Sequence, residues 1–84
     1  MRIRYSKQAL KYLRKMPANR AADLRSAVAQ IAGDKENFHG DLIRLSGSRY
    51  FRLRVGGYRA ILDILDGELI LLVLKIGTRG DVYK

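Results

Sequence analysis

The ten residues Tyr50–Arg59, Tyr-Phe-Arg-Leu-Arg-Val-Gly-Gly-Tyr-Arg, constrain the fold of this chain more than any other stretch. From position 51 to 55, apolar residues alternate with Arg52 and Arg54. This period of two puts the apolar side chains on one face of a strand and the guanidinium groups on the other. Gly56 and Gly57 both tolerate positive φ and suit a two-residue turn. The stretch therefore predicts a β-hairpin with one apolar and one basic face.

The predicted hairpin brings arginines together. With a two-residue turn, Val55 pairs with Tyr58 and Arg54 lies directly opposite Arg59. Like charges in directly opposed positions destabilise a sheet. A solvated sheet face is the simpler interpretation of Arg52 and Arg54, but the opposed Arg59 favours a site for an anion with several charges.

Two helices are predicted before this hairpin. Ser6 is a suitable N-cap for a helix over Lys7–Met16, and Pro17 either ends this helix or opens the next. The second helix runs from about Pro17 or Asn19 to Ala32, with Gly33 as its C-terminal stop, and the short connection predicts an antiparallel helical hairpin. Helical spacing places four apolar side chains on one side of the first helix: Ala9, Leu10, Leu13 and Met16. In the second helix it places four toward a sheet: Ala21, Leu24, Val28 and Ile31.

The other strands flank these elements. Arg2–Tyr5 alternates charged and apolar residues and predicts an edge strand. Residues 33–40 are polar and predict a loop, after which Asp41–Leu45 is a possible short strand. Tyr58–Leu65 is the second hairpin strand, and Asp66-Gly67 indicates a type I′ turn into a third strand over Glu68–Ile76.

The predicted last strand contains an apolar run, residues 69–74, that has no alternation. Such a run indicates that both faces of the strand are covered. The helical hairpin covers one face, and a C-terminal segment or a second protein is expected on the other. Together these elements predict one α+β domain, residues 1–84, with an N-terminal strand and a helical hairpin packed on a small antiparallel sheet.

Composition limits the function. Seventeen Lys and Arg against eight Asp and Glu give a net charge of +9, which attracts nucleic acid first and an anionic membrane surface second. The absence of cysteine and the single histidine argue against metal centres, and we expect no cofactor. The N-terminus has no apolar signal core and no apolar run is long enough to span a bilayer, so we expect a cytoplasmic protein.

The order of the elements and two motifs resemble the RelE/ParE toxins of bacterial type II toxin–antitoxin systems. The first motif is a basic strand followed by Gly-Tyr-Arg, and the second is Gly-x-Arg-x-x-x-Tyr, which begins at Gly77. The resemblance covers nearly the whole chain. It implies a ribosome-dependent endoribonuclease that cuts mRNA, and a cognate antitoxin that silences it.

The resemblance also implies a set of site residues. The positions that match the catalytic pattern of RelE-type nucleases are Arg52, Arg54, Arg59, Arg79 and Tyr83. Arginine stands at positions 52 and 54 where well-studied members carry lysine, which favours an electrostatic role because arginine is a poor proton donor. ParE-type members share the fold, act on DNA gyrase and generally lack the full set, so its retention favours the nuclease.

The implied chemistry needs no metal. The 2′-hydroxyl of the RNA attacks the adjacent phosphorus while positive charge stabilises the phosphorane, and such electrostatic stabilisation often contributes most to catalysis. Tyr83 is the candidate base, since neighbouring guanidinium groups lower a phenol pKa. Arg79 is the candidate stabiliser of the leaving group. Tyr58 has two interpretations, a core side chain or a platform for a base, of which the core role is favoured.

The basic outer faces of the helices have two interpretations, a solvated surface or a grip on ribosomal RNA. The candidate RNA-binding residues there are Lys7, Lys11, Arg14, Arg20 and Arg25. A basic RNA-binding module without catalysis is a further alternative for the whole protein. We expect His39 to be an ordinary surface residue and Asp63 to pair with an arginine.

An antitoxin is expected to dock on exposed apolar surface of the sheet or on the helical pair. The candidate apolar residues are Ile61, Leu65, Ile70 and Leu72.

Overall fold

The structure, a computed structural model, describes residues 1–78. These residues form, in chain order, β1 (Arg2–Tyr5), α1 (Lys7–Lys15), α2 (Ala18–Asp34), β2 (Asp41–Arg44), β3 (Phe51–Val55), β4 (Tyr58–Leu65) and β5 (Ile70–Thr78). The strands make one sheet in the order β1-β5-β4-β3-β2. The predicted α+β class is confirmed, and β2 to β5 form the antiparallel meander, including the possible extra strand. Because β1 pairs with β5 in parallel, the complete sheet is mixed.

Helix α1 begins where the sequence predicts. The Ser6 hydroxyl accepts a hydrogen bond of 3.0 Å from the Ala9 backbone N–H, which satisfies one of the free donors of the first turn. The helix ends at Lys15, and Met16 is extended (φ −72°, ψ 153°). A residue before proline avoids the helical region, so Pro17 fixes this boundary.

Helix α2 passes the glycine that was expected to stop it. Gly33 lies inside the helix, which continues to Asp34 and tightens into a 3₁₀ turn over Lys35–Asn37. The prediction of a glycine stop and of a loop from residue 33 is therefore wrong at this end. A glycine ends a helix when it adopts the left-handed conformation, and Gly33 does not.

The hairpin of β3 and β4 is confirmed, with Val55 opposite Tyr58 and Arg54 opposite Arg59. Gly56 alone of the turn pair has a positive φ, 59°. A type II′ turn places glycine at this first central position. The two-residue turn therefore fixes the register that sets two arginines face to face.

The next turn is longer than predicted. Leu65 pairs with Ile70, and the residues between them form a 3₁₀ turn, Asp66–Glu68, followed by Leu69 in the left-handed region (φ 56°, ψ 42°). The predicted type I′ turn at Asp66-Gly67 is wrong, and β5 begins two residues later than expected. A positive φ is unfavourable for leucine, because its Cβ comes too close to the backbone in this conformation.

The core lies between the helices and one face of the sheet. The four apolar residues of α2 predicted to face the sheet are buried, as are three of the four predicted to share one side of the first helix, and Leu10 is the exception with 38% exposure. They pack against alternate sheet residues that are fully buried: Leu53, Ala60, Leu62, Leu71, Val73 and Ile76. Neither helix within residues 1–78 is long and apolar enough to cross a membrane.

The first turn of α1 completes the edge of β5. Strand β1 pairs with β5 only as far as Val73, and a register shift in the ladder with β4 follows that residue. Beyond it, the Ser6 hydroxyl donates to the Leu74 carbonyl at 2.8 Å. The Gln8 amide donates to the Ile76 carbonyl and accepts from the Ile76 N–H, both at 2.9 Å. Two side chains thus replace the missing strand partner.

Candidate functional site

The face of the sheet opposite the helices, here called the arginine face, carries Arg52, Arg54 and Arg59. Alternation along β3 separates the first two from the buried Leu53, and the register of the hairpin pairs Arg54 with Arg59. The structure therefore brings together three of the five residues in the predicted catalytic set. Arg79 and Tyr83, the other two, lie outside the described residues.

A groove of about 330 Å³ opens beside the hairpin turn and is lined by Arg54, Gly56, Gly57 and Arg59. The arginines supply two guanidinium groups, which form charge-assisted hydrogen bonds to phosphate or carboxylate oxygens. The glycines carry no side chains, so a ligand can approach the backbone closely at this point. This groove has the size and the charge for a phosphate group.

One carboxylate holds two of the arginines. Asp41, at the start of β2, lies opposite Arg54 in the ladder of β2 and β3. Its Oδ1 is 2.5 Å from a terminal nitrogen of Arg52, and its Oδ2 is 2.6 Å from a terminal nitrogen of Arg54. Sequence reasoning assigned Asp41 no role. The available signal was an acidic residue at the start of a strand expected to pair with the arginine strand.

Burial distinguishes the two arginines. The Arg52 side chain is 12% exposed, whereas the Arg54 side chain is 49% exposed. The Nε of Arg52 is buried and has no hydrogen-bond partner among residues 1–78. Arg52 is thus held within the surface by Asp41, while Arg54 reaches solvent and the groove.

A second acidic residue lies buried on the arginine face. The Asp63 side chain is 4% exposed, and its Oδ2 accepts a 2.9 Å hydrogen bond from Arg49, which is 64% exposed. The expected pairing of Asp63 with an arginine is confirmed. Its Oδ1 has no hydrogen-bond partner within residues 1–78, so Arg49 supplies the described counter-charge.

The predicted RNA-binding residues of the helices, Lys7, Lys11, Arg14, Arg20 and Arg25, are all exposed. Arg20 also approaches the groove, because a Cβ at Gly56 would lie 3.5 Å from one of its terminal nitrogens. Arg20 forms a loose ion pair of 3.6 Å with Asp23. The basic surface of α2 therefore extends to the hairpin turn and to the groove lined by Arg54 and Arg59.

Tyrosines among the described residues have structural contacts. Tyr58 is half-buried, packs against the core and meets the Tyr12 ring edge to face at 6.3 Å, which supports the core interpretation. Burial raises the pKa of Tyr5, an effect that the charge of Arg25 partly offsets. A raised pKa makes the phenolate less available, so Tyr5 is a poor candidate for a base.

His39 is exposed. Within residues 1–78, His, Asp and Glu side chains form no group of three that could hold a metal ion. The described part of the site is thus a set of guanidinium groups on a two-stranded hairpin. Such groups stabilise negative charge that develops on a phosphate, and they provide no general base at neutral pH.

Comparison with known protein families identifies one family. Residues 3–83 match the sequence model of a family described as the ParE toxin of a type II toxin–antitoxin system, parDE. No curated protein matches the sequence.

Solved structures of similar fold include chains of toxin–antitoxin complexes. A chain of the archaeal RelE–RelB complex from Pyrococcus horikoshii has a TM-score of 0.82 and 24% identity, with 95% of this chain and 96% of that chain covered. The E. coli RelBE complex gives 0.73 and 20%, with coverages of 92% and 94%. The RelBE2 complex of Mycobacterium tuberculosis gives 0.73 and 22%, with coverages of 93% and 96%.

Proposed function

Because this chain belongs to the RelE/ParE family of toxins of type II toxin–antitoxin systems, we propose that it is a ribosome-dependent endoribonuclease that cuts mRNA. The observation that supports this proposal best is the groove in which Arg54 and Arg59 face each other across a hairpin. Two guanidinium groups line this groove, and each can donate charge-assisted hydrogen bonds to the oxygens of an anion. The backbone phosphates of RNA are such anions.

The proposed reaction is attack of a ribose 2′-hydroxyl on the adjacent phosphorus. The bond from the 2′ oxygen to phosphorus forms and the bond from phosphorus to the 5′ oxygen breaks. The products are a 2′,3′-cyclic phosphate and a free 5′-hydroxyl. Arg54 and Arg59 bind the non-bridging oxygens, where charge grows in the transition state, and interactions of this kind contribute about 10²- to 10³-fold each.

Removal of the 2′-hydroxyl proton and stabilisation of the leaving group are assigned to the two residues of the set beyond residue 78. Tyr83 takes the proton of the 2′-hydroxyl as a phenolate, a form that positive charge would favour. Arg79 stabilises the departing 5′ oxygen, which water then protonates, since a guanidinium group hardly gives up a proton. Substituting Arg79 with alanine or Tyr83 with phenylalanine should reduce cutting much more than stability.

The basic helical residues complete the proposal. Lys7, Lys11, Arg14, Arg20 and Arg25 bind ribosomal RNA and orient the toxin on the ribosome in the cytoplasm. Contacts of this type neutralise phosphates and release counterions, so binding weakens with added salt.

The test is cleavage of mRNA on translating ribosomes by the purified protein. Arg54→Gln and Arg59→Gln should each lower the cleavage rate about 10²-fold. Arg44→Gln is the matched control. Arg44 is exposed on β2, but its neighbour Ile43 pairs with Arg52, so Arg44 lies on the other face of the sheet. Equal rates for all three variants would contradict the assignment of the site.

Inhibition of DNA gyrase is the second candidate function, because the matching family model is described as a ParE toxin. This function needs a protein-binding surface and no cleavage chemistry. A supercoiling assay separates the two functions. Inhibited gyrase with intact mRNA would support the second function, and cut mRNA with active gyrase would support the first.

We also propose a cognate antitoxin as the protein partner, since the similar structures from the three organisms are RelE complexes with RelB. The apolar candidates for its docking surface, Ile61, Leu65, Ile70 and Leu72, are all partly exposed. Co-expression with the product of a neighbouring gene should relieve growth inhibition by this protein. Substituting Ile70 and Leu72 with serine should abolish that relief if the antitoxin binds there.

A further inference from the structure

Asp41 occupies the position between Arg52 and Arg54 that an oxyanion would take. Its two oxygens contact one guanidinium group each, at 2.5 and 2.6 Å. A phosphate group presents two oxygens to a pair of arginines in the same way. As an extension of the proposed function, we propose that Asp41 is an internal competitor for RNA phosphate, which displaces it from Arg54 when RNA binds.

The exchange occurs at Arg54 because the contacts of Asp41 differ in burial. Arg54 is half-exposed and lines the groove, and ion pairs screened by water are weak. Arg52 is 12% exposed, and removal of its carboxylate partner would leave a largely buried charge. Asp41 therefore keeps its contact with Arg52 while Arg54 turns to the phosphate.

The competitor lowers the affinity of the site for isolated polyanions. Asp41 offsets part of the charge of Arg52 and Arg54. A phosphate of free RNA must displace Asp41 from Arg54 and also lose its freedom of motion, whereas a phosphate fixed in place on the ribosome has already lost that freedom. The arrangement thus favours positioned RNA over free RNA.

The test measures binding of a fluorescent single-stranded oligonucleotide whose 2′-deoxy sugars prevent the proposed reaction. Asp41→Asn is compared with Asp66→Asn, which removes the same charge from an exposed carboxylate at the other end of β4. We expect Asp41→Asn to tighten binding about fivefold relative to this control.

A double substitution tests whether the effect passes through Arg54. In an Arg54→Gln background, Asp41→Asn should change affinity no more than Asp66→Asn does, because the contested partner is absent. Weaker binding by Asp41→Asn alone, an effect equal to that of Asp66→Asn, or an undiminished effect in the Arg54→Gln background would each overturn the proposal.

A measurement on the unmodified protein avoids dependence on the folding of the variants. In ¹⁵N spectra of the arginine side chains, the oligonucleotide should shift the Nε–H signal of Arg54 and leave that of Arg52 in place. A shift of Arg52 without Arg54 would contradict the exchange. Since the oligonucleotide cannot be cut, failure to cleave mRNA would refute the proposed nuclease and leave this result interpretable.

Discussion

At the scale of single residues, burial decides which ion pairs matter. The pair of Arg49 and Asp63 joins an exposed cation to a carboxylate that is 4% exposed. The pair of Arg20 and Asp23 joins two side chains that are about half-exposed, at 3.6 Å. A buried charge that loses its partner keeps the cost of desolvation, whereas an exposed charge regains water.

Arg49→Gln should therefore lower the free energy of unfolding by about 1–3 kcal/mol, and Arg20→Gln by less than about 0.5 kcal/mol. Chemical denaturation measures both values. Adding Asp63→Asn to Arg49→Gln should restore part of the loss, because it removes the buried charge. Equal losses for the two arginine variants would show that burial of Asp63 has no such effect.

At the scale of secondary-structure elements, α1 holds the C-terminal half of β5. The amide of Gln8 both donates to and accepts from the backbone of Ile76, beyond the point where β1 stops pairing. This pair of hydrogen bonds requires one N–H donor and one oxygen acceptor on the same side chain. Glutamine provides both, and glutamate at neutral pH provides acceptors alone.

Gln8→Glu should lower the free energy of unfolding by about 1–3 kcal/mol, because a carboxylate then faces the Ile76 carbonyl. Gln30→Glu is the matched control, since Gln30 is exposed on α2 and its amide donates to Ser26 at 3.4 Å. Thermal denaturation compares the two variants. A smaller loss of stability for Gln8→Glu than for Gln30→Glu would contradict the stabilising role of the two Gln8 hydrogen bonds.

The turns provide a second test at this scale. Leu69 is 63% exposed with a φ of 56°, so Leu69→Gly should raise the free energy of unfolding by up to about 1 kcal/mol. Gly47→Ala should lower it by a similar amount, because Gly47 has a φ of 73° and a Cβ is unfavourable there. Loss of stability in Leu69→Gly would show that its side chain contributes more than its backbone conformation costs.

Local patterns in the sequence were enough to predict most of these elements. Alternation around Arg52 and Arg54 and the Gly56-Gly57 turn determine the hairpin and its register. The longer turn before β5 and the passage of α2 through Gly33 were not predictable in this way, because several backbone conformations suit the same local residues and tertiary packing selects one. The two contacts of Asp41 depend on strand pairing and side-chain orientation, which no local pattern contains.

At the scale of the whole molecule, the net charge is +9, and the structure of residues 1–78 places basic side chains both on the arginine face and on the outer surfaces of the helices. Arg20 connects these surfaces at the hairpin turn. A cation-rich surface on two sides of a small domain suits a protein that contacts RNA both at a reaction site and around it. We propose that RNA bound at the arginine site is cut through attack by its own 2′-hydroxyl.

A single substitution in the mRNA tests whether the RNA's own 2′-hydroxyl is the nucleophile. The cut position is first mapped on ribosomes with an unmodified message, and the nucleotide on its 5′ side is then replaced with its 2′-deoxy counterpart. We predict that cutting at that position stops while binding of the toxin to the ribosome is unchanged. Continued cutting at the deoxy position would contradict the account.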